Sequence, residues 1–107
     1  MYYYYDTYMD RKAEIAKEID HIKKELLKLG RMRPGSLSIQ TRSWGGKYMQ
    51  LSYTHRGRGH TQYVQKEEYK KLEEQLSNYR KFRDLTQEWV DLSLELCRLE
   101  TRNKPSI

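Results

Sequence analysis

The side chains best suited to chemistry lie in YMQLSYTHRGRGHTQYV, residues 48–64, which contains three tyrosines, two arginines, two histidines and no Asp or Glu. Arginine contacts phosphates, and histidine can bind a metal or transfer a proton. The stretch is compatible with two interpretations. It is either an ordinary β-hairpin with a polar solvent face or a surface that meets a polyanion.

Metal binding and catalysis are poorly supported by the spacing of these residues. A structural zinc site needs about four Cys, His or carboxylate ligands, whereas the basic middle of the chain offers only His55 and His60. GRMRPG, residues 30–35, lacks the Lys-Ser/Thr ending of a phosphate-binding loop. We therefore expect no enzyme activity, no cofactor and no metal, and no chemical role for Cys97.

Positive charge is concentrated in the middle of the chain. From Leu26 to Lys66 there are eight Lys or Arg and no Asp or Glu, whereas the rest of the chain holds 13 bases and 15 acids. This segment therefore carries the whole excess behind the net charge of +6. Such segregation focuses a positive potential on one end of a folded molecule, which is typical of phosphate binders.

The charge pattern predicts a nucleic-acid-binding module, with DNA favoured over RNA. The alternatives are a protein–protein adaptor or inhibitor, encoded by a mobile element or phage, whose basic sheet contacts an acidic partner, and a purely structural coiled-coil protein with incidentally basic loops. Phosphate contacts are expected from Arg31, Arg33, Lys47, Arg56, Arg58 and Lys66, and base-edge contacts from Gln40, Arg42, Tyr48 and Gln50.

The elements that position these residues follow from hydrophobic periodicity. Steps of three and four residues predict helices over about 5–29 and 66–101, the first with Tyr5 and Tyr8 in its apolar seam and Gly30 at its left-handed C′ position. Three alternating segments between about 37 and 64 predict strands, with turns at Gly45-Gly46 and at Arg56 to Gly59. The predicted fold is α+β, one domain over 1–107, with two long helices in an antiparallel coiled-coil hairpin flanking a three-stranded antiparallel sheet.

The second helix is predicted to be longer than the first. At 1.5 Å per residue, helices of about 25 and 36 residues differ by about 16 Å. The end of the longer helix would then lack a cover, and Lys104-Pro105 would end it. A homodimer is therefore expected, with its interface formed by Trp89, Leu92, Leu96 and Leu99. The alternative is a monomer in which the tyrosine-rich start extends the first helix and covers the gap itself, with Tyr2 to Tyr5 as packing residues.

Composition indicates the broad class of protein. Hydrophobic residues make up 36% of the chain and charged residues 34%, which favours long two-faced helices over a compact enzyme. The single cysteine excludes an intrachain disulfide and suits a reducing compartment. No segment is apolar enough to cross a membrane, and the amino-terminal residues do not have the pattern of a signal peptide. A cytoplasmic protein is expected.

Three segments resemble a family of short prokaryotic proteins that is catalogued as a domain of unknown function and often occurs among genes of mobile elements. They are RPGSLS at residues 33–38, YMQLSYTHRGRGHTQYVQKEEY at 48–69 and NYRKFRDLTQEWVDLSLELCR at 78–98. Family members tend to carry R-x-G-S-L-S, G-K-x-N-C-x-C, Y-Y-x-L-S-Y, Y-V and N-Y-R-x-F-R. In place of the family's cysteines this chain has SWGG, residues 43–46, so a metal or thiol role there is lost. The resemblance covers roughly residues 31–98 and implies a fold and a genomic setting, but no activity.

The predicted order of elements is also similar to that of the amino-terminal arm-binding domains of tyrosine recombinases. Those domains place three strands before a helix and contact the major groove with the sheet. This likeness is one of architecture, and architecture does not fix function.

Overall fold

The computed structural model describes the backbone of residues 2–102 and the side chains of residues 10–101. Helix α1 spans Tyr2–Leu27, and strands β1, β2 and β3 span Ser36–Thr41, Lys47–His55 and Arg58–Val64. A turn of 3₁₀ helix, Lys66–Glu68, leads into helix α2, Tyr69–Arg102. The α+β class, the three strands and the two long helices are thus confirmed.

The chain divides into two compact units that share α2 between them. Unit 1 comprises Met1–Lys28 and Phe82–Ile107, and unit 2 comprises Leu29–Lys81. Because one helix belongs to both units, the single domain expected over 1–107 stays a prediction. Lys104-Pro105 lies outside the described residues.

Unit 1 is a pair of helices around an apolar cluster. Ile15 and Ile22 of α1 and Leu92 of α2 are buried, and Ile19, Leu26, Leu85, Trp89, Leu96 and Leu99 pack against them. Within each helix these positions are three or four residues apart, which is the spacing of the apolar seams predicted from the sequence. The coiled-coil geometry of the seam stays a prediction, and the side chains of Tyr5 and Tyr8 lie outside the described ones.

The premise of the dimer prediction is wrong. Leu92, Leu96 and Leu99 are not left without a cover, because they belong to the cluster that includes Ile15 and Ile22 of α1. The reason is that only the part of α2 from Phe82 onwards belongs to unit 1 with α1, whereas the earlier turns of α2 pack on the sheet through Leu72 and Leu76.

Unit 2 is a sheet packed on the amino-terminal part of α2. Leu51 of β2 and Val64 of β3 are buried with Leu72 and Leu76 of α2, and Leu37, Met49, Tyr53 and Tyr69 pack around them. Leucines at positions 72 and 76 lie one helical turn apart and therefore face the sheet together. A three-stranded sheet gains independent stability from packing of this kind.

The sheet is antiparallel in the order β1-β2-β3. Leu51 lies opposite Leu37 on one side and Gln62 on the other, and Met49 lies opposite Val64. Successive side chains in a strand point to opposite faces. The alternation expected for β1 and β2 is therefore confirmed, and the apolar set faces α2.

Two tight hairpins connect the strands. In the first, the Gly45 N–H donates to the Arg42 carbonyl at 2.9 Å and the Arg42 N–H donates to the Gly46 carbonyl at 2.6 Å, with Gly45 in the left-handed region at φ 96°. In the second, Arg56 and Gly57 both have positive φ, 51° and 78°. Two such residues between paired strand ends define the two-residue turn whose twist matches that of a hairpin.

Two expectations about glycines are wrong. Gly59 is not in the second turn but in β3, opposite Thr54, because a two-residue turn suffices to reverse the chain. Gly30 does not take the left-handed conformation. Helix α1 already ends at Leu27, where the Lys28 N–H donates to the Glu25 carbonyl at 3.1 Å and tightens the last turn.

Candidate nucleic-acid interface

The sheet of unit 2 has an outer face, which points away from α2. Its residues are polar, small or aromatic, and none of them belongs to an apolar cluster of the described residues. The register assigns to this face Ser36, Ser38, Gln40, Tyr48, Gln50, Ser52, Thr54, Gly59, Thr61 and Tyr63. The face contains no acid, so its chemistry is that of hydrogen-bonding groups and aromatic rings.

Hydrogen bonds along the strands organise the polar residues of the outer face. The Gln40 amide Nε2 donates to Ser38 Oγ at 3.0 Å, and the Gln50 amide Nε2 donates to Ser52 Oγ at 3.3 Å. The Tyr48 hydroxyl donates to Gln50 Oε1 at 3.5 Å. Both glutamines are therefore held along their strands.

Aromatic rings and one arginine gather where the first hairpin adjoins the outer face. We call this group, Arg42, Trp44, Tyr48 and Tyr63, the aromatic end. The Arg42 guanidinium carbon lies 4.6 Å from the Tyr48 ring centroid, 5.6 Å from that of Trp44 and 5.9 Å from that of Tyr63. The Tyr48 and Tyr63 centroids are 6.0 Å apart. One cation thus lies within cation–π range of three rings.

The Trp44 ring lies against the backbone of the first hairpin. A Cβ added to Gly46 would clash with Trp44 Cζ3, so glycine at position 46 leaves the space that the indole occupies. The ring is otherwise 76% exposed. Most of its surface is therefore open to a ligand.

Several of the predicted phosphate-binding residues lie on the other side of the sheet. The Arg33 N–H donates to the Gln75 carbonyl of α2 at 3.2 Å, and its guanidinium lies 5.0 Å from the ring of Tyr53, which stacks on His60 at 4.8 Å. The Arg31 carbonyl accepts a hydrogen bond from Asn78 of α2 at 3.0 Å. Arg31 and Arg33 border a cleft with Glu67, Glu68 and Lys71.

The structure brings together only part of the predicted interface. Gln40, Arg42, Tyr48 and Gln50 share the outer face or its end. Arg31 and Arg33 lie towards α2, and Lys47 and Arg58 alternate with outer-face residues, so they point to the inner side of the sheet. Arg56 lies in the second turn and Lys66 begins the 3₁₀ turn. The acid-free segment is therefore not one continuous cationic surface.

Tyr63 and Trp44 were missed as site residues at the level of sequence. Tyr63 lies directly opposite Gln50 and 57% of it is exposed. Val64 is apolar and faces α2, so the alternation of side chains along a strand places the preceding residue, Tyr63, on the outer face. The sequence contained this signal. For Trp44 the signal was only its position beside the glycines of a turn.

A two-pronged ion pair joins α1 and α2 within unit 1. Arg11 Nε and Nη2 donate to the two carboxylate oxygens of Glu95 at 2.6 and 2.7 Å, which is the two-pronged geometry that favours arginine. These hydrogen bonds lower the pKa of Glu95 and raise the pKa of Arg11. About a third of each side chain is exposed, so water screens the pair.

Among the residues with described side chains, no group of three or more His, Cys, Asp or Glu is arranged to hold a metal ion. Cys97 is an exposed free thiol. His55 and His60 lie on β2 and β3, and the latter stacks on Tyr53. No helix in the described part of the chain is long and apolar enough to span a membrane.

The chain is an α+β protein in which a three-stranded antiparallel sheet and two long helices are combined. No protein-family model matches it, and no curated protein or solved structure is significantly similar to it. The resemblance of residues 31–98 to the uncharacterised prokaryotic family therefore stays a prediction.

Proposed function

We propose that the chain is a nucleic-acid-binding module and that the outer face of its sheet, with the aromatic end, is the contact surface. The observation that carries the proposal is the environment of Arg42. A guanidinium surrounded by three rings, at the edge of a sheet face without any acid, matches the anionic and aromatic chemistry of a polynucleotide.

Charge complementarity supports the same assignment. Residues 26–66 contain eight bases and no acid, and a polynucleotide offers a phosphate at every step. Arg42 and Arg56 lie at opposite hairpins of the sheet, so a strand that crosses the outer face meets a cation near each end. Serine, threonine and glutamine side chains between them supply hydrogen-bonding groups.

The test is fluorescence anisotropy with labelled DNA and RNA, each as duplex and as single strand, at about 50 mM salt. Wild type is expected to bind at least one of them. Arg42→Ala is expected to weaken that binding by about tenfold or more, because a hydrogen bond to a charged group contributes roughly 1.5–3 kcal/mol. Lys17→Ala is the matched control, since it removes one exposed positive charge from α1 and should change little.

The salt dependence gives a second measure of the same surface. Six phosphate contacts would give a slope of log K against log salt of about −4 to −5. Because four of the six predicted phosphate-binding residues lie on the inner side of the sheet, we expect a slope shallower than about −3. Circular dichroism must be unchanged in every variant for these comparisons to count.

A protein–protein adaptor is the second candidate function, and the same surface favours it. Trp, Tyr and Arg are the residues enriched in interface hot spots, and Trp44, Tyr63 and Arg42 occur together here. An acidic partner surface would complement the charge of the segment. Absence of binding to every DNA and RNA probe at low salt would refute the first proposal and favour this second one.

A further inference from the structure

We propose that the outer face binds a single strand in preference to a duplex, with bases stacked on the rings of the aromatic end. This inference rests on the proposed function and names the form of nucleic acid that the surface takes. The ligand chemistry is an unpaired polynucleotide, in which the base faces are accessible and the phosphates follow one path.

The exposed rings favour unpaired bases. Tyr63 and Trp44 present most of their surface to solvent, and stacking is the strongest contact that such rings make with nucleic acid. In a duplex, neighbouring base pairs already cover the faces of each base, so only the edges and the backbone can be reached. A ring on a sheet face would then have nothing to stack on.

The glutamines bear on the form of nucleic acid through their orientation. Reading adenine in the major groove requires the amide oxygen and the amide nitrogen of one glutamine together. In Gln50 the nitrogen donates to Ser52 and the oxygen accepts from Tyr48, and in Gln40 the nitrogen donates to Ser38. Each amide retains a second N–H and a second oxygen lone pair, but these hydrogen bonds fix its orientation along the strand, whereas stacking on the rings depends on no amide orientation.

Arg42 joins the two kinds of contact. Its planar guanidinium lies over Tyr48 and can still donate hydrogen bonds from its edge to a phosphate. The phosphate of a stacked nucleotide is then bound beside the ring that holds its base. A single arginine among three rings therefore suits a single strand better than a duplex, for which a row of cations along the backbone would be expected.

The other end of the outer face has room for a backbone to pass. A Cβ added to Gly59 would meet nothing within 4 Å, and its neighbours on this face are small: Thr54 lies directly opposite it, and Ser52 and Thr61 form the next pair. Glycine in the interior of a strand often marks a close approach of a ligand. A larger side chain at position 59 should therefore obstruct the nucleic acid without disturbing the sheet.

The experiment compares a fluorescein-labelled oligo(dT) of about 12 nucleotides, a length within the range that single-strand binding domains cover, with the same strand annealed to oligo(dA). We expect tighter binding to the single strand. Tyr63→Leu is expected to weaken single-strand binding about 5- to 150-fold, because it removes one stacked base. Tyr63→Phe retains the ring and should bind within about twofold of wild type, and Gly59→Val should weaken binding while the circular dichroism stays unchanged.

Tryptophan fluorescence detects the stacking directly. The chain has two tryptophans, and in Trp89→Phe only Trp44 remains, so oligo(dT) should quench its emission and the duplex should not. Duplex binding as tight as single-strand binding overturns this inference and leaves the proposed function standing. Single-strand binding that is indifferent to Tyr63→Leu and leaves Trp44 unquenched overturns the stacking. If neither the single strand nor the duplex binds, and RNA does not bind either, the proposed function itself is overturned.

Discussion

Replacing Gly35 by alanine is expected to destabilise the protein severely, although the change adds a single methyl group. Gly35 lies just before β1 with φ at 133°, a conformation that residues with a side chain rarely adopt. An added Cβ would lie 2.9 Å from Leu51 Cδ1, 2.9 Å from the Ser52 carbonyl oxygen and 3.1 Å from Tyr53 Cβ. One of these neighbours is backbone and another belongs to the fully buried Leu51, so neither can move freely.

Two separate costs contribute to the expected loss. A residue forced into a sparsely populated backbone conformation costs about 1–3 kcal/mol, and overpacking a well-packed region costs about 1–3 kcal/mol more. Alanine also lowers the conformational entropy of the unfolded chain, which stabilises the folded state by about 0.4–1 kcal/mol. The net loss should be about 1–6 kcal/mol, a large fraction of the roughly 5–15 kcal/mol that stabilises a typical domain.

Two other glycines provide matched controls for these costs. Gly57 has positive φ but open space around the added Cβ, so Gly57→Ala should lose only the conformational part, about 1–2 kcal/mol. Gly59 has neither restriction, and alanine there should be neutral or stabilise by up to about 1 kcal/mol. The free energies of unfolding come from urea titrations followed by circular dichroism. A Gly35→Ala variant that loses no more than Gly57→Ala would refute the close backbone contact.

Two further predictions concern unit 1. Because hydrogen bonds from Arg11 lower the pKa of Glu95, the stability that this pair adds is present above the unfolded pKa of about 4.3 and is lost as the pH falls through the folded value. The thermal midpoints of wild type and Glu95→Gln should therefore differ at pH 7 and converge in acid, whereas those of wild type and the exposed control Glu100→Gln should show no such change with pH. A difference between wild type and Glu95→Gln that persists in acid contradicts the assignment. Because Leu92, Leu96 and Leu99 pack with α1, the interface that the sequence suggested for a homodimer is already covered, and light scattering at micromolar concentration should give a mass near 13.1 kDa. A mass of twice that value would contradict this reasoning.

The faces of the sheet were predictable because a wrong register has a large cost. A slip of one residue would turn Leu51 and Val64 to solvent and the serines and glutamines towards α2. Burial of two such apolar side chains is worth about 3–6 kcal/mol, so the alternation of the sequence selects one arrangement. The same argument applies to Ile15 and Ile22 in the helix pair.

The composition of the aromatic end was not predictable in the same way. Arg42 and Trp44 lie in a hairpin loop, where no alternation assigns a direction to a side chain. Tyr63 is far from both in sequence and approaches Tyr48 only as a diagonal neighbour across β2 and β3. Such neighbours are defined only after the register of both strand pairs is fixed. The helix ends were also missed, because capping and fraying contribute far less free energy than the apolar seam.

The seam of α2 contains a further signal that the sequence displayed and the fold explains. Its apolar positions alternate between steps of three and four residues except around Phe82, where three steps of three occur in succession. The division between the two units falls between Lys81 and Phe82. Before this point the seam packs on the sheet through Leu72 and Leu76, and after it on α1 through Leu85 and Leu92. The irregular spacing marks the change of packing partner.

This division of α2 bears on the proposed function. The sheet obtains its buried core entirely on the side of α2, from Leu51, Val64, Leu72 and Leu76. The outer face therefore has no apolar core to build, and serine or threonine at each of its positions would satisfy the fold. Exposed rings of Trp44 and Tyr63 beside Arg42 are not required by packing. The proposed ligand, a single strand of nucleic acid, would account for their presence together beside a face free of acids, because it has both aromatic faces and negative charge.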